Sequence, residues 1–187
     1  AKYLRSIGIT AVLVKYRLPN GHNEVPLEDA QLAMHYTRTE GAKWGVDPTQ
    51  VGILGSSAGG YLAAHVSTAT PDEQKPAFAI LIYPVISGTT HSTHHGTFNY
   101  MLGKLRTDAE QEYLSLENRV TATTPPTLLL LADDDLRCIF PDGLRQTGNF
   151  LDIHLFTTFA MLSGCVYNTT GNGFMQGKIC CGGFPDI

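Results

Sequence analysis

The chain has no excess of positive charge and no long run of hydrophobic residues. It has 13 Lys and Arg against 17 Asp and Glu, which gives a formal net charge of −4. A protein that binds nucleic acid usually carries a basic face, so this balance argues against a nucleic-acid partner. No apolar stretch approaches the roughly 20 residues that a membrane-spanning helix needs, so no membrane partner is expected either.

Cysteine is missing from most of the chain. Cys138, Cys165, Cys180 and Cys181 all lie in the last part of the sequence. A chain of this size does not need a disulfide framework, and the adjacent pair Cys180-Cys181 lacks the spacing of a zinc site. We therefore expect no structural metal, and the uneven distribution indicates that the sequence changes in character near residue 137.

What is present is enough apolar sequence for one domain. The chain has 187 residues, of which 43% are hydrophobic. Short β-branched or leucine-rich runs alternate with stretches of helical spacing, which is typical of the α/β class with a mostly parallel sheet and helices on both faces. The pattern predicts strands at about 9–15, 51–54, 78–83 and 127–131 and helices at about 26–41, 57–68 and 108–117. Right-handed crossovers bring the carboxyl ends of parallel strands to one edge, where sites form.

The alternating pattern decays from about residue 157. Glycines are scattered there without a period, and no regular element is predicted. We expect a partial domain over residues 1–156 and an irregular tail over 157–187. Because the chain starts without Met and already inside a folded pattern, we also expect it to be a piece of a longer protein.

A Gly-x-Ser-x-Gly motif carries the strongest chemical signal. Gly55, Ser57 and Gly59 follow a predicted strand and open a predicted helix. A strand that turns sharply into a helix presents its serine hydroxyl above the sheet, and the crowded turn needs glycine on both sides. The backbone N–H of Ala58 is then placed to stabilise an oxyanion. The alternative is a small-residue turn that only packs a helix onto a strand.

A serine nucleophile needs a base and an acid that orients the base. In a hydrolase of this kind the acid follows the serine in the chain, and Asp133, Asp134 and Asp135 end the strand predicted at 127–131. The residues alone leave open whether this is a solvated acidic turn.

The wider sequence resembles the bacterial α/β-hydrolase esterases, with the acetylxylan- and feruloyl-esterase-like carbohydrate esterases as the nearest group. The likeness covers roughly residues 1–156 and rests on an ordered set of segments: 14–19, 26–30, 44–48, 55–60, 83–87 and 124–135. It implies the α/β-hydrolase fold and a serine hydrolase that removes acyl groups from sugars or small esters, without a metal or organic cofactor. It makes Asp135 the first choice for the acid and Asp134 the second, and it is compatible with a secreted or periplasmic parent protein.

Two departures from that family bear on activity. The family's glycine-rich loop, which supplies the second oxyanion N–H, precedes the segment equivalent to residues 1–7, so the first strands are expected to be missing here. No His follows His154, which corresponds to a structural position in the family. The catalytic His would fall near Met161, where an overlapping reading frame permits a His codon.

We therefore expect this chain to be weakly active or inactive, and its general base is unassigned. The resemblance leaves two alternatives to an esterase. One is a peptidase domain similar to prolyl oligopeptidase, which shares the serine turn. The other is an α/β-hydrolase remnant that binds a ligand without turnover.

The remaining histidines carry weaker signals. His91, His94 and His95 cluster in a polar stretch without a carboxylate or cysteine at metal-binding spacing, so a solvated loop is favoured over a metal site. Both that stretch and His22 follow predicted strands on the edge that carries Ser57, where they could contact substrate.

Overall fold

Helices and strands alternate along the chain, as the sequence predicts. The computed structural model describes residues 1–89, 94–104, 107–130, 158–162 and 179–181. The strands are β1 (Thr10–Val14), β2 (Val51–Ser56), β3 (Ala79–Ile82), β4 (Thr127–Leu130), β5 (Thr158–Leu162) and β6 (Ile179–Cys181). The helices are α1 (Lys2–Ser6), α2 (Glu24–Glu40), α3 (Ser57–Ala69), α4 (His95–Leu102) and α5 (Asp108–Tyr113).

The predicted elements from β1 to β4 are confirmed, with small shifts at their ends. The predicted helix at 108–117 is shorter, because α5 ends at Tyr113 and a separate 3₁₀ turn covers Leu116–Arg119. Two helices, α1 and α4, were not predicted. The segment of α4 begins with His, Gly and Thr, which do not predict a helix. Its buried residues are Phe98 and Met101, and two apolar positions give only a weak helical pattern.

The strands form one sheet in the order β4-β3-β2-β5-β1-β6. All neighbouring strands are parallel except β6, which runs antiparallel to β1. The strands β1 and β2 are consecutive in the first half of the chain, yet β5 lies between them. The carboxyl ends of β1 to β4 consequently share one edge, which we call the carboxyl edge.

The region after residue 157, for which the sequence predicts no regular element, contributes the two strands β5 and β6. The segment of β5 is an unbroken run, Thr-Phe-Ala-Met-Leu, without the polar alternation of a half-exposed strand, and a short run of this kind suits a central parallel strand. Met161 pairs with Leu13 on one side and Leu54 on the other. The structure therefore places regular strands in a region for which the sequence pattern predicts none.

Both faces of the sheet are covered. On one face Ile53 and Leu81 join the main core beneath α2 and α3, which pack against each other. On the other face their strand neighbours Leu54 and Ile80 pack in a smaller cluster with Phe78. Successive side chains of β2 and β3 therefore enter opposite layers, as in a sheet buried on both sides. Among the described residues, no helix combines the length and hydropathy required to cross a membrane.

Buried His65 gives this fold a specific sensitivity to acid. The side chain lies on α3 with 3% of its surface exposed, and its Nε2 is 3.4 Å from Nη1 of Arg119. Burial, with the positive charge of Arg119 second, lowers the pKa of His65 from 6.5 to about 4. The folded protein therefore keeps His65 neutral over a pH range in which the unfolded chain takes up a proton.

We expect the free energy of unfolding to fall as pH drops from about 6.5 toward about 4, by ~2.5 kcal/mol between pH 7 and pH 4.5 from this residue alone. Above about pH 6.5 the residue is neutral in both states and makes no pH-dependent contribution. Urea unfolding at the two pH values, compared between the parent chain and His65→Gln, measures the difference. Equal losses of stability in the two proteins would contradict the assignment, since carboxylates titrate in both.

Candidate active site

Ser57 lies where β2 passes directly into α3. Ser56 is still extended, with φ −123° and ψ 146°, and Ser57 starts the helix with φ +51°. A positive φ is strained for a residue with a side chain, and such strain collects at functional sites. Ser57 and Ala58 are exposed, while the residues that follow them in α3 are buried. The predicted position of Ser57, exposed on a sharp strand-to-helix turn, is confirmed.

The glycines beside Ser57 are explained by crowding against main-chain atoms. A Cβ on Gly55 would come within 2.1 Å of the carbonyl oxygen of Gly59 and 2.8 Å of the nitrogen of Gly60. A Cβ on Gly60 would come within 2.8 Å of the Cβ of Pro84. The turn is thus closed on one side by the start of α3 itself and on the other by the segment that follows β3.

The residues that follow β3 are hydrogen-bonded both to β4 and to the serine turn. The N–H of Tyr83 donates to the carbonyl of Leu130 at 2.6 Å, and the N–H of Val85 donates to the carbonyl of Ser57 at 3.4 Å. Tyr83 also has a positive φ, +37°. The serine turn, the end of β3 and the end of β4 are therefore tied together at the carboxyl edge.

The start of α3 favours a developing negative charge near Ser57. The first N–H groups of a helix have no partner within the helix, and the helix dipole adds a partial positive charge at this end. Ala58 lies in this first turn and is exposed. Its backbone N–H is thus at the helix end where an oxyanion donor is needed, and its role stays a prediction.

The predicted acid, Asp135, and its alternative Asp134 lie outside the described residues. The structure describes β4 as far as Leu130, and it places β4 two strands from β2, parallel and with its carboxyl end at the same edge as Ser57. Two strand spacings separate the strand backbones by about 10 Å, a distance that the side chains of a serine, a histidine and an aspartate span together in a triad. The assignment of Asp135 remains a prediction.

Two of the described histidines, His94 and His22, contact residues close to them in the chain. The Nδ1 of His94 lies 3.2 Å from the N–H of Thr97 and 2.9 Å from its hydroxyl, so this ring caps α4. His22 Nδ1 lies 3.3 Å from Oε1 of Glu24. His91 and His154 lie outside the described residues. Within the described ranges, no group of three or more His, Cys, Asp or Glu side chains is placed to hold a metal ion.

Arg17 fixes the loop after β1 at the same edge, and its one sequence signal is its place in segment 14–19 of the resemblance. Its Nε and Nη2 donate to the carboxylate of Asp29 on α2 at 2.8–3.1 Å, and its backbone N–H donates to the same carboxylate at 2.8 Å. A guanidinium that meets a carboxylate with several parallel hydrogen bonds gives a well-defined geometry. The loop from β1 to α2 is therefore held against the start of α2.

Comparisons with known proteins agree with this architecture. A family described as the alpha/beta hydrolase fold matches residues 1–141. An acetylxylan esterase of Xylanibacter ruminicola is 36% identical over 164 residues, which cover 82% of this chain and 34% of that protein. An endo-1,4-beta-xylanase B of Butyrivibrio fibrisolvens is 36% identical over 121 residues, which cover 59% of this chain and 19% of that protein.

Among solved structures, an acetyl ester-xyloside bifunctional hydrolase from Caldicellulosiruptor lactoaceticus matches with a TM-score of 0.65 and 29% identity, over 87% of this chain and 63% of that one. The chain spans about a third of the acetylxylan esterase that it matches. The family match covers well over half of the chain and includes the strand, the serine turn and the helix described above. The chain therefore belongs to the family of proteins with the alpha/beta hydrolase fold.

Proposed function

We propose that this chain carries the nucleophile of a serine esterase that removes acyl groups from carbohydrates. The observation that carries the proposal is Ser57, exposed and strained at φ +51° on the first turn of a helix that starts at the carboxyl edge. A serine held in this way is what acyl transfer requires, because the hydroxyl is free to approach a carbonyl from above the sheet. The names of the relatives, an acetylxylan esterase and an acetyl ester-xyloside hydrolase, support an acetylated sugar as substrate.

The proposed reaction has two steps. The Oγ of Ser57 attacks the ester carbonyl, its proton passes to a base and then to the sugar oxygen, and the sugar leaves as an alcohol while the acyl group stays on Ser57. Water then attacks this acyl-enzyme, which releases the carboxylic acid and returns the proton to Ser57. The N–H of Ala58 stabilises the oxyanion in both steps, and Asp135 is the proposed acid that orients the base.

The base has no assigned residue, and this limits the expected rate. General-base assistance is usually worth about a hundred- to ten-thousandfold. We therefore propose that the 187-residue chain is a slow esterase rather than an efficient one.

Acetate release from acetylated xylo-oligosaccharides, measured beside cleavage of a proline-containing peptide p-nitroanilide, tests the substrate class. We expect slow acetate release that Ser57→Ala removes, and no p-nitroaniline. Ser57-dependent cleavage of the anilide without acetate release would instead establish a peptidase similar to prolyl oligopeptidase. An absence of both reactions, in a chain whose circular dichroism shows it folded, would establish a non-catalytic remnant.

A further inference from the structure

The carboxyl edge carries exposed apolar side chains on both sides of Ser57. Among the described residues, eight large hydrophobic side chains are exposed, and four of them belong to segments at this edge: Leu18, Tyr83, Tyr100 and Leu130. Exposed apolar side chains that gather in one place usually mark a surface that binds something. Tyr83 and Tyr100 are the aromatic residues among these four.

Tyr83 lies on the β3 side of the nucleophile. It directly follows β3, its side chain is 46% exposed, and its backbone is held between Leu130 and the Ser57 turn by the hydrogen bonds of Tyr83 and Val85. Because β3 is the direct neighbour of β2, its end lies about 5 Å from the end of β2. The backbone that carries the Tyr83 ring is therefore fixed next to Ser57.

Tyr100 lies toward the β1 side, on α4. Phe98 is fully buried and meets the ring of Tyr61 edge to face at 5.9 Å, one helical turn beyond Ser57, while Tyr100 is 51% exposed. The carbonyl of Tyr100 accepts a hydrogen bond of 2.8 Å from Gly21, in the loop after β1. The helix α4 therefore bridges the first turns of α3 and the β1 loop, with Tyr100 on its solvent side.

Backbone strain supports the position of Tyr83. Among the described residues, the non-glycine positions with positive φ are Asn20, Ser57 and Tyr83. Asparagine tolerates this conformation, whereas Ser57 and Tyr83 are strained, and they directly follow the neighbouring strands β2 and β3. Strained residues persist where the surrounding structure fixes them for a function, so the strain ties Tyr83 to the nucleophile.

We infer that Tyr83 and Tyr100 are stacking platforms for pyranose rings of an acylated oligosaccharide, one on each side of the ester that Ser57 attacks. The inference rests on the proposed function. A tyrosine pairs an apolar ring face with a hydroxyl at its rim, which matches a sugar that has an apolar C–H face and a polar perimeter. Binding sites place such aromatic side chains beside a few polar groups that fix orientation.

Binding of unacetylated xylohexaose to the 187-residue chain, measured by isothermal titration calorimetry in a Ser57→Ala background, tests the inference without using turnover. The variants are Tyr83→Asn, which removes the ring with a residue that tolerates positive φ, and Tyr100→Ala on the exposed face of α4. We expect each to weaken binding about fivefold and the pair about twentyfold. The control is Tyr3→Ala, because Tyr3 is 74% exposed on α1, which precedes the opposite end of β1.

Tyr83→Phe keeps the ring and loses only the hydroxyl, so it should weaken binding clearly less than Tyr83→Asn, which separates loss of stacking from loss of folding. The inference is overturned if the parent chain does not bind xylohexaose, if both ring-removing variants bind it unchanged, or if Tyr3→Ala weakens binding equally. It is also overturned if Tyr83→Asn and Tyr100→Ala, made in chains that retain Ser57, slow the hydrolysis of p-nitrophenyl acetate as much as that of acetylated xylo-oligosaccharide, because the rings would then contact the acyl group. Ester hydrolysis through Ser57 with no effect of the tyrosines on sugar binding would leave the proposed function standing without this inference.

Discussion

Replacing Ser57 with alanine is expected to remove most of the hydrolysis of p-nitrophenyl acetate above the rate of buffer alone. The hydroxyl is the atom that forms the acyl-enzyme, so its removal leaves only the positioning and oxyanion contributions of the site. A full triad loses about a millionfold in turnover when its serine is removed. Because this chain has no assigned base, the parent rate itself is expected to be low, and the ratio of parent to variant rate is smaller. We expect Ser57→Ala to lower the rate at least about a hundredfold.

Ser56→Ala is the matched control for this prediction. Ser56 is the neighbouring serine, it ends β2, and its side chain makes no capping hydrogen bond to α3. Its removal should leave the rate within about twofold, since no helix cap is lost and alanine fits the extended backbone there. A second variant, His154→Ala, tests the base. If the parent cleaves the ester at ordinary esterase rates and His154→Ala removes that rate, then His154 is the base and the expectation of weak activity is wrong.

Gly55→Ala is expected to produce the largest loss of stability of any single methyl group added at the site. The new Cβ would sit 2.1 Å from the carbonyl oxygen of Gly59 and 2.5 Å from its carbonyl carbon, and both are main-chain atoms of α3. No side-chain rotation relieves such a contact, so the strand and the helix must separate. We expect the free energy of unfolding to fall by about 3 kcal/mol, the upper end of the usual cost of overpacking, measured by urea unfolding at pH 7.

Gly45→Ala is the control for the same substitution without the clash. Gly45 follows the 3₁₀ turn Gly41–Trp44 in the left-handed conformation, with φ +74° and ψ 22°, and nothing lies within 4 Å of a Cβ built there. Its cost is the left-handed conformation alone, about 1–2 kcal/mol. If Gly55→Ala destabilises no more than Gly45→Ala, the serine turn has more room than the structure shows, and the crowding argument for the motif is wrong.

The serine site was predictable because its signal is local. The turn between β2 and α3 needs small residues within a few positions of one another, and the clash of a Gly55 Cβ with Gly59 is a contact between near neighbours in the chain. The buried strands were predictable for a similar reason, since both faces of β2 and β3 enter apolar layers. The elements from β1 to β4 could therefore be predicted from local sequence patterns alone.

What the sequence left undetermined depends on long-range placement. The order of the sheet puts β5 between β1 and β2. No pattern in residues 158–162 predicts that this strand pairs with two strands so distant in the chain. The helix α4 was missed because two buried residues, Phe98 and Met101, carry its packing against a polar background. The roles of Tyr83 and Tyr100 emerge only when β3 and the β1 loop lie on either side of Ser57.

Intact mass measurement after incubation with p-nitrophenyl acetate tests the central claim, that Ser57 is the nucleophile, most directly. Slow deacylation in a chain without an assigned base should leave one acetyl group per chain, mapped to the peptide that contains Ser57 and removed by hydroxylamine, as an oxygen ester is. Ser56→Ala should acquire the same group and Ser57→Ala should not. Equal acetylation of the parent and Ser57→Ala, or an oxygen ester mapped to another residue, would contradict the account.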